Sequence, residues 1–107
     1  MKYEIPREVF KQRLTDKHTF VIIDVQDAGR AGKLQFEGTS NIPFTADFAK
    51  AFAALYPQKQ QNVILFSLTP GDEGPQQAAE ALENAGYNFV YYYRGSAQDV
   101  VLDKGLN

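Results

Sequence analysis

The stretch Phe20-Val-Ile-Ile-Asp-Val25 decides the fold of this chain. It is an almost unbroken run of β-branched and aromatic residues, with a single carboxylate near its end. Such a run, without alternating polar positions, is typical of a strand that is buried on both faces of a parallel sheet. Asn62-Val-Ile-Leu-Phe66 repeats the pattern further along. The two runs predict a sheet that helices cover on both sides.

Helical patterns alternate with these strands. Pro6 and Pro75 suit the first position of a helix, and Gly86 suits the position just past the end of one. Thr45 is predicted as an N-cap, ahead of an apolar stripe of Phe48, Phe52 and Leu55. The helices are predicted at 7–14, 46–56, 75–85 and, as a short final element, 97–104. Further strands are predicted at 2–5, 40–43 and 88–93.

The alternation of strand and helix places the chain in the α/β class. It implies right-handed crossovers between mostly parallel strands. We therefore predict a three-layer α/β/α architecture with about five strands. The sequence has no internal repeat and no linker-like segment, so a single domain is expected to span residues 1–107.

Composition excludes several classes of function. The formal net charge is −2, and lysine and arginine form no cluster, which argues against a nucleic-acid binder. The longest apolar runs are far shorter than a membrane helix, and the polar start shows no signal-peptide pattern, so a cytoplasmic protein is expected. The sequence has no cysteine, which excludes disulfides and any thiol nucleophile of its own. No cofactor or metal is expected.

Ligands of open parallel sheets bind beyond the carboxyl ends of the strands. That rule selects Asp24 with the loop 26–38, the loop 67–74 and residues 94–96. The middle loop connects a strand to a helix, an arrangement that directs backbone N–H groups and a helix dipole toward an anion.

Five short motifs follow one another along residues 5–101. They are Ile22-Ile-Asp-Val25, Gly38-Thr-Ser-Asn-Ile-Pro43, Val63-Ile-Leu-Phe66, the helix with Ala78, Ala79 and Leu82 that ends in Ala85-Gly-Tyr87, and the turn Arg94-Gly95. In this order and spacing they resemble a rhodanese domain, the fold that sulfurtransferases share with Cdc25-type phosphatases.

The chain departs from that family at every position that carries its chemistry. Ser67 stands where the family has its catalytic cysteine. The arginine that gathers an anionic substrate has no counterpart, since Asp72, Glu73 or Gly74 falls there. Gln26 and Gln35 replace an arginine and a histidine that are usual in the family. The resemblance therefore implies a homologue without catalytic activity.

In two alternative hypotheses the chain is an enzyme. Ser67 would need a base, but His18, the single histidine, precedes the strand that starts at Phe20 and is expected at the opposite edge of the sheet. Asp72 and Glu73, together with Asp24 or Asp27, would have to support a metal-assisted or carboxylate-assisted hydrolase in the same pocket. Asp24 is expected instead to organise the neighbouring loops.

The leading prediction is a binding or regulatory module whose partner is another protein, with no nucleic acid or membrane involved. A non-catalytic subunit of a sulfur-transfer complex, with the thiol supplied by a partner, is the other alternative. The predicted binding residues are Ser67, Leu68, Thr69, Pro70, Gly71, Asp72, Glu73, Gly74 and Arg94. A run of three tyrosines, Tyr91 to Tyr93, is predicted mainly as core, with a partner-contacting aromatic patch as the alternative.

Overall fold

The computed structural model describes residues 2–15, 20–26, 39–67 and 73–95. The strands within these ranges are β1 (Lys2–Glu4), β2 (Phe20–Asp24), β3 (Ser40–Asn41), β4 (Asn62–Phe66) and β5 (Phe89–Tyr92). The helices are α1 (Arg7–Thr15), α2 (Phe48–Leu55) and α3 (Gly74–Asn84). The predicted final helix at 97–104 lies outside the described residues.

The five strands form one sheet in the order β1-β5-β4-β2-β3, and every neighbouring pair is parallel. The register places Tyr3, Tyr91, Ile64 and Ile22 in one row across the sheet. All carboxyl ends therefore meet at the same edge. The predicted α/β class with a parallel five-stranded sheet is confirmed.

A hydrophobic core lies on each face of the sheet. On one face, Phe10 and Leu14 of α1 pack against Ile22, Ile64 and Phe66. The core of the other face is built from the remaining strand positions together with α2 and α3, which contribute Phe48, Phe52, Ala78, Ala79 and Leu82. Because side chains alternate across a strand, the apolar runs of β2 and β4 serve both cores. The prediction of strands buried on both sides is confirmed.

The start of α2 differs from its prediction. The helix begins at Phe48 instead of at residue 46, and its N-cap is Asp47, whose side chain makes no capping hydrogen bond. Thr45 instead belongs to the turn before the helix. Its carbonyl oxygen accepts from the Phe48 N–H at 3.0 Å, and its hydroxyl accepts from the Asp47 N–H at 3.3 Å. The hydroxyl thus serves a local turn instead of the first helical turn.

The end of α2 differs as well. Leu55 was predicted on the buried stripe, yet it is 63% exposed. Tyr56, the next residue, packs its ring against Phe52 at 5.1 Å between centroids. Tyr56 lies four residues after Phe52, so Tyr56, and not Leu55, continues the row of Phe48 and Phe52.

The end of α3 agrees with its prediction. Gly86 has φ +99°, a conformation that L side chains rarely adopt, and it follows the last turn of the helix. Among the described helices, none is long and apolar enough to cross a lipid bilayer.

Candidate functional site

The carboxyl ends of β2, β4 and β5 lie side by side. Asp24 pairs with Phe66, and Leu65 pairs with Tyr92. The ladder continues for one residue beyond the strands, because the Val25 N–H donates to the Phe66 carbonyl oxygen at 3.0 Å and the Tyr93 N–H donates to the Leu65 carbonyl oxygen at 2.9 Å. Ser67 therefore leaves the sheet from its centre, between the ends of β2 and β5.

The side chain of Ser67 is only 1% exposed. A hydroxyl at this depth is not presented to solvent as a nucleophile, and activation would require a neighbouring base. His18 lies outside the described residues, but β2, which follows it, begins at Phe20 beside Asn62 at the amino edge of the sheet. Five residues of strand, about 17 Å, separate that edge from the edge where Ser67 lies.

Asp24 is buried and turns its carboxylate to the backbone. Its Oδ1 accepts a hydrogen bond from the Gln26 N–H at 2.9 Å. Asn41, at the end of β3, donates through Nδ2 to the carbonyl oxygens of Asp24 and Gln26, both at 2.8 Å. These bonds fix the turn after β2, as expected for an aspartate that organises the neighbouring loops.

Glu73 is the N-cap residue of α3 and is exposed. Its side chain makes no capping hydrogen bond, whereas its carbonyl oxygen accepts from the Gln77 N–H at 3.0 Å. Gly74 is the first residue of the helix and is half-buried, and Pro75 follows it in the first turn. The carboxylate of Glu73 is thus available at the surface where the family resemblance places a substrate-gathering arginine.

Arg94 is exposed and follows β5. The preceding tyrosines alternate between the two faces of the sheet. Tyr93 stacks on Phe10 with ring centroids 4.5 Å apart, whereas Tyr92 belongs to the core on the other face. A side chain at Gly95 would collide with the Tyr93 ring, so this turn requires glycine. Tyr92 and Tyr93 are buried, which supports the core interpretation for these two rings.

Several predicted residues lie outside the described ranges. They are the loop residues Leu68, Thr69, Pro70, Gly71 and Asp72, together with His18, Asp27 and Gln35. Ser67, Glu73, Gly74 and Arg94 lie toward the edge of the sheet where the strands end, and a binding role for these and for the other predicted residues stays a prediction. Among the described residues, no three histidine or carboxylate side chains form a group that could hold a metal ion.

A groove that the sequence did not predict lies beside this site. The groove has a volume of about 530 Å³ and is lined by Phe44, Gln77, Glu80, Ala81 and Asn84. Part of its wall could be predicted from spacing alone, since Gln77, Glu80 and Asn84 recur at helical intervals on one face of α3. That Phe44 lines the groove could not be predicted, because it depends on where the turn after β3 meets α3.

Comparison with solved structures places this architecture among known ones. A single-domain sulfurtransferase of Saccharomyces cerevisiae superimposes with a TM-score of 0.78 at 16% identity, over 100% of this chain and 94% of that one. The rhodanese-like domain of an Anabaena protein gives 0.73 at 22% identity, over 98% of this chain and 76% of that one. A thiosulfate sulfurtransferase of Pseudomonas aeruginosa gives 0.76 at 21% identity, over 97% of this chain and 19% of that one.

No protein-family model and no curated protein matches the sequence. The likeness thus lies in the three-dimensional arrangement of the parallel sheet and of the helices on its two faces. The protein therefore has the rhodanese-like fold, and it combines that fold with a sequence that contains no cysteine.

Proposed function

We propose that this chain is a catalytically inactive rhodanese-like domain that acts by binding another protein, with the loop 67–74 as part of the contact surface. The observation that carries the proposal is Ser67, a buried serine at the end of the central strand β4. Without a thiolate, this position cannot hold a persulfide or a phosphocysteine.

The charge of the neighbouring surface supports binding to a basic partner. Glu73 is exposed at the start of α3, and Asp72 precedes it in the sequence. Two adjacent carboxylates repel thiosulfate and phosphate but attract lysine and arginine side chains. Exposed charges of this kind act mainly on the rate of association, and salt weakens their effect.

The test is charge reversal in the loop. The double variant Asp72→Lys with Glu73→Lys is expected to retain less partner protein than the wild type in a pull-down from native lysate, and increasing salt is expected to reduce capture by the wild type. The matched control is Glu4→Lys with Glu8→Lys, which changes the net charge equally at two exposed positions on β1 and α1. Equal retention by all three proteins, or retention of nothing, would contradict the proposal.

A further inference from the structure

The groove beside α3 is built around an exposed aromatic ring. The Phe44 N–H donates to the Val25 carbonyl oxygen at 2.9 Å, which fixes the backbone of Phe44 at the carboxyl edge of the sheet. Its ring meets Phe48 edge-on, at 5.8 Å between centroids, yet 36% of the side chain remains exposed. Ala81 lines the same groove, so its apolar part is formed by one ring and one methyl group.

The helix that forms the other wall is acidic along its outer face. Glu73, Gln77, Glu80 and Asn84 are all exposed and lie one above another on α3. Residues 72–84 contain four acidic residues and no lysine or arginine. In the part of the chain that the structure describes, neither Glu73 nor Glu80 forms an ion pair. The negative charge of this face is therefore not neutralised within those residues.

We propose that this groove docks a basic segment of a partner protein that carries one bulky apolar side chain. The apolar side chain would lie against Phe44 and Ala81, and flanking lysines or arginines would pair with Glu80 and Glu73. Anchors of this kind, an apolar group in a pocket with charges at the rim, are typical of protein interfaces. A second copy of this chain fits poorly, because the two acidic faces would repel each other.

The proposal rests on the proposed function and specifies its partner more closely. Glu73 belongs both to the loop 67–74 and to the outer face of α3, one helical turn before Gln77. A segment that contacts the loop can therefore continue along the helix into the groove. In such a complex the loop contributes charged contacts, and the groove contributes an apolar contact.

The test uses three short synthetic peptides and the isotopically labelled protein. The first peptide combines lysines and serines with a central tryptophan, the second has glutamates in place of the lysines, and the third has serine in place of the tryptophan. Only the first is expected to shift amide resonances of the residues that line the groove. Shifts confined to another surface, or equal shifts with the third peptide, would refute the proposal.

Two variants and their matched controls measure the contributions separately. Phe44→Ala is expected to weaken binding of the first peptide about tenfold, as for loss of an anchor residue, and Glu80→Lys roughly threefold. Phe89→Ala removes another exposed aromatic, 42% exposed, and Glu4→Lys reverses another exposed carboxylate. Both controls should bind as the wild type does. Because Glu80 is exposed, its variant remains informative even if Phe44→Ala were to disturb folding. Equal losses in the variants and their controls would overturn the proposal.

The same variants distinguish binding in the groove from binding at the loop 67–74. A lysate partner that Asp72→Lys with Glu73→Lys loses, but that Phe44→Ala and Glu80→Lys both retain fully, would refute the groove and leave the binding function intact. Absence of any retained partner, together with no peptide binding, would refute both.

Discussion

Asn41 donates through its Nδ2 to the carbonyl oxygen of Asp24 at 2.8 Å. The bond joins the two-residue strand β3 to the end of β2, and the same amide group reaches the carbonyl oxygen of Gln26. The Asn41 side chain thus donates to two backbone carbonyl oxygens at the carboxyl edge of the sheet, where the candidate site lies.

Replacing Asn41 by alanine is expected to lower the free energy of unfolding by about 1–3 kcal/mol, because two hydrogen bonds are lost in a partly buried turn, although the Asp24 carbonyl oxygen keeps the Ile42 N–H as a donor. Urea denaturation followed by circular dichroism measures this change. Asn84→Ala, at an exposed position near the end of α3, is the control and should have little effect. If the two variants were equally stable, the side chain of Asn41 would not be holding the turn.

Tyr87 supplies a second prediction, at the opposite edge of the sheet. Its ring is buried, its hydroxyl donates to the Tyr56 carbonyl oxygen at 2.5 Å, and the Lys59 ammonium lies 4.3 Å from the centre of the ring. Burial raises the pKa of the Tyr87 hydroxyl above its ordinary value. Since the folded state holds this proton more tightly than the unfolded state, the stabilisation is complete at neutral pH and declines as the pH rises above about 10.

Tyr87→Phe is therefore expected to have two effects. At pH 7 the free energy of unfolding of the variant is lower by about 1 kcal/mol, because the hydrogen bond to the Tyr56 carbonyl oxygen is lost. In the alkaline range its stability falls less steeply than that of the wild type, because the titrating group is gone. Urea titrations at several pH values measure both effects, and Tyr3→Phe, at a tyrosine that is 48% exposed, is the control. An identical alkaline decline in wild type and Tyr87→Phe would exclude Tyr87 as its source.

The purified protein is expected to show no thiosulfate:cyanide sulfurtransferase activity. That reaction needs a thiolate to carry the transferred sulfur, and the sequence has no cysteine. Thiocyanate formation is measured in parallel with a buffer blank and with a sulfurtransferase that contains the cysteine. Turnover that co-purifies with the protein, through successive chromatographic steps, would contradict an inactive domain.

Ser67→Cys is expected to leave the protein inactive. The new thiol would occupy a position that is 1% exposed, and burial raises the pKa of a thiol and lowers the fraction present as thiolate. It should react slowly with a thiol-specific disulfide reagent, whereas Glu80→Cys, on the exposed face of α3, should react at the rate of a free thiol. Rapid modification of Ser67→Cys, or turnover of thiosulfate at rates usual for sulfurtransferases, would refute this account of the site.

The sequence predicted those features that depend on local pattern. β2 and β4 were recognisable because both faces of each strand are apolar, and Gly86 was recognisable because only glycine readily adopts its φ. Leu55 was misplaced because it lies three residues after Phe52, whereas Tyr56, four residues after Phe52, is the side chain that continues the row of Phe48 and Phe52.

Within the candidate site, the position of Ser67 followed from the strand before it. The groove could not be predicted, since it depends on where Phe44, in the turn after β3, meets α3, and no local pattern contains that contact.

The pairing of β1 with β5 limits the order in which the strands of the sheet can pair during synthesis. Lys2 lies beside Val90, so the first and last strands of the described sheet are neighbours in space and far apart in sequence. During synthesis, β1 leaves the ribosome long before β5, its pairing partner, has been made. Closing so long a loop is entropically costly and belongs among the slow steps of folding. We expect the edge of the sheet formed by β1 to be completed only after synthesis has passed β5, which leaves the earlier strands in need of protection from premature association.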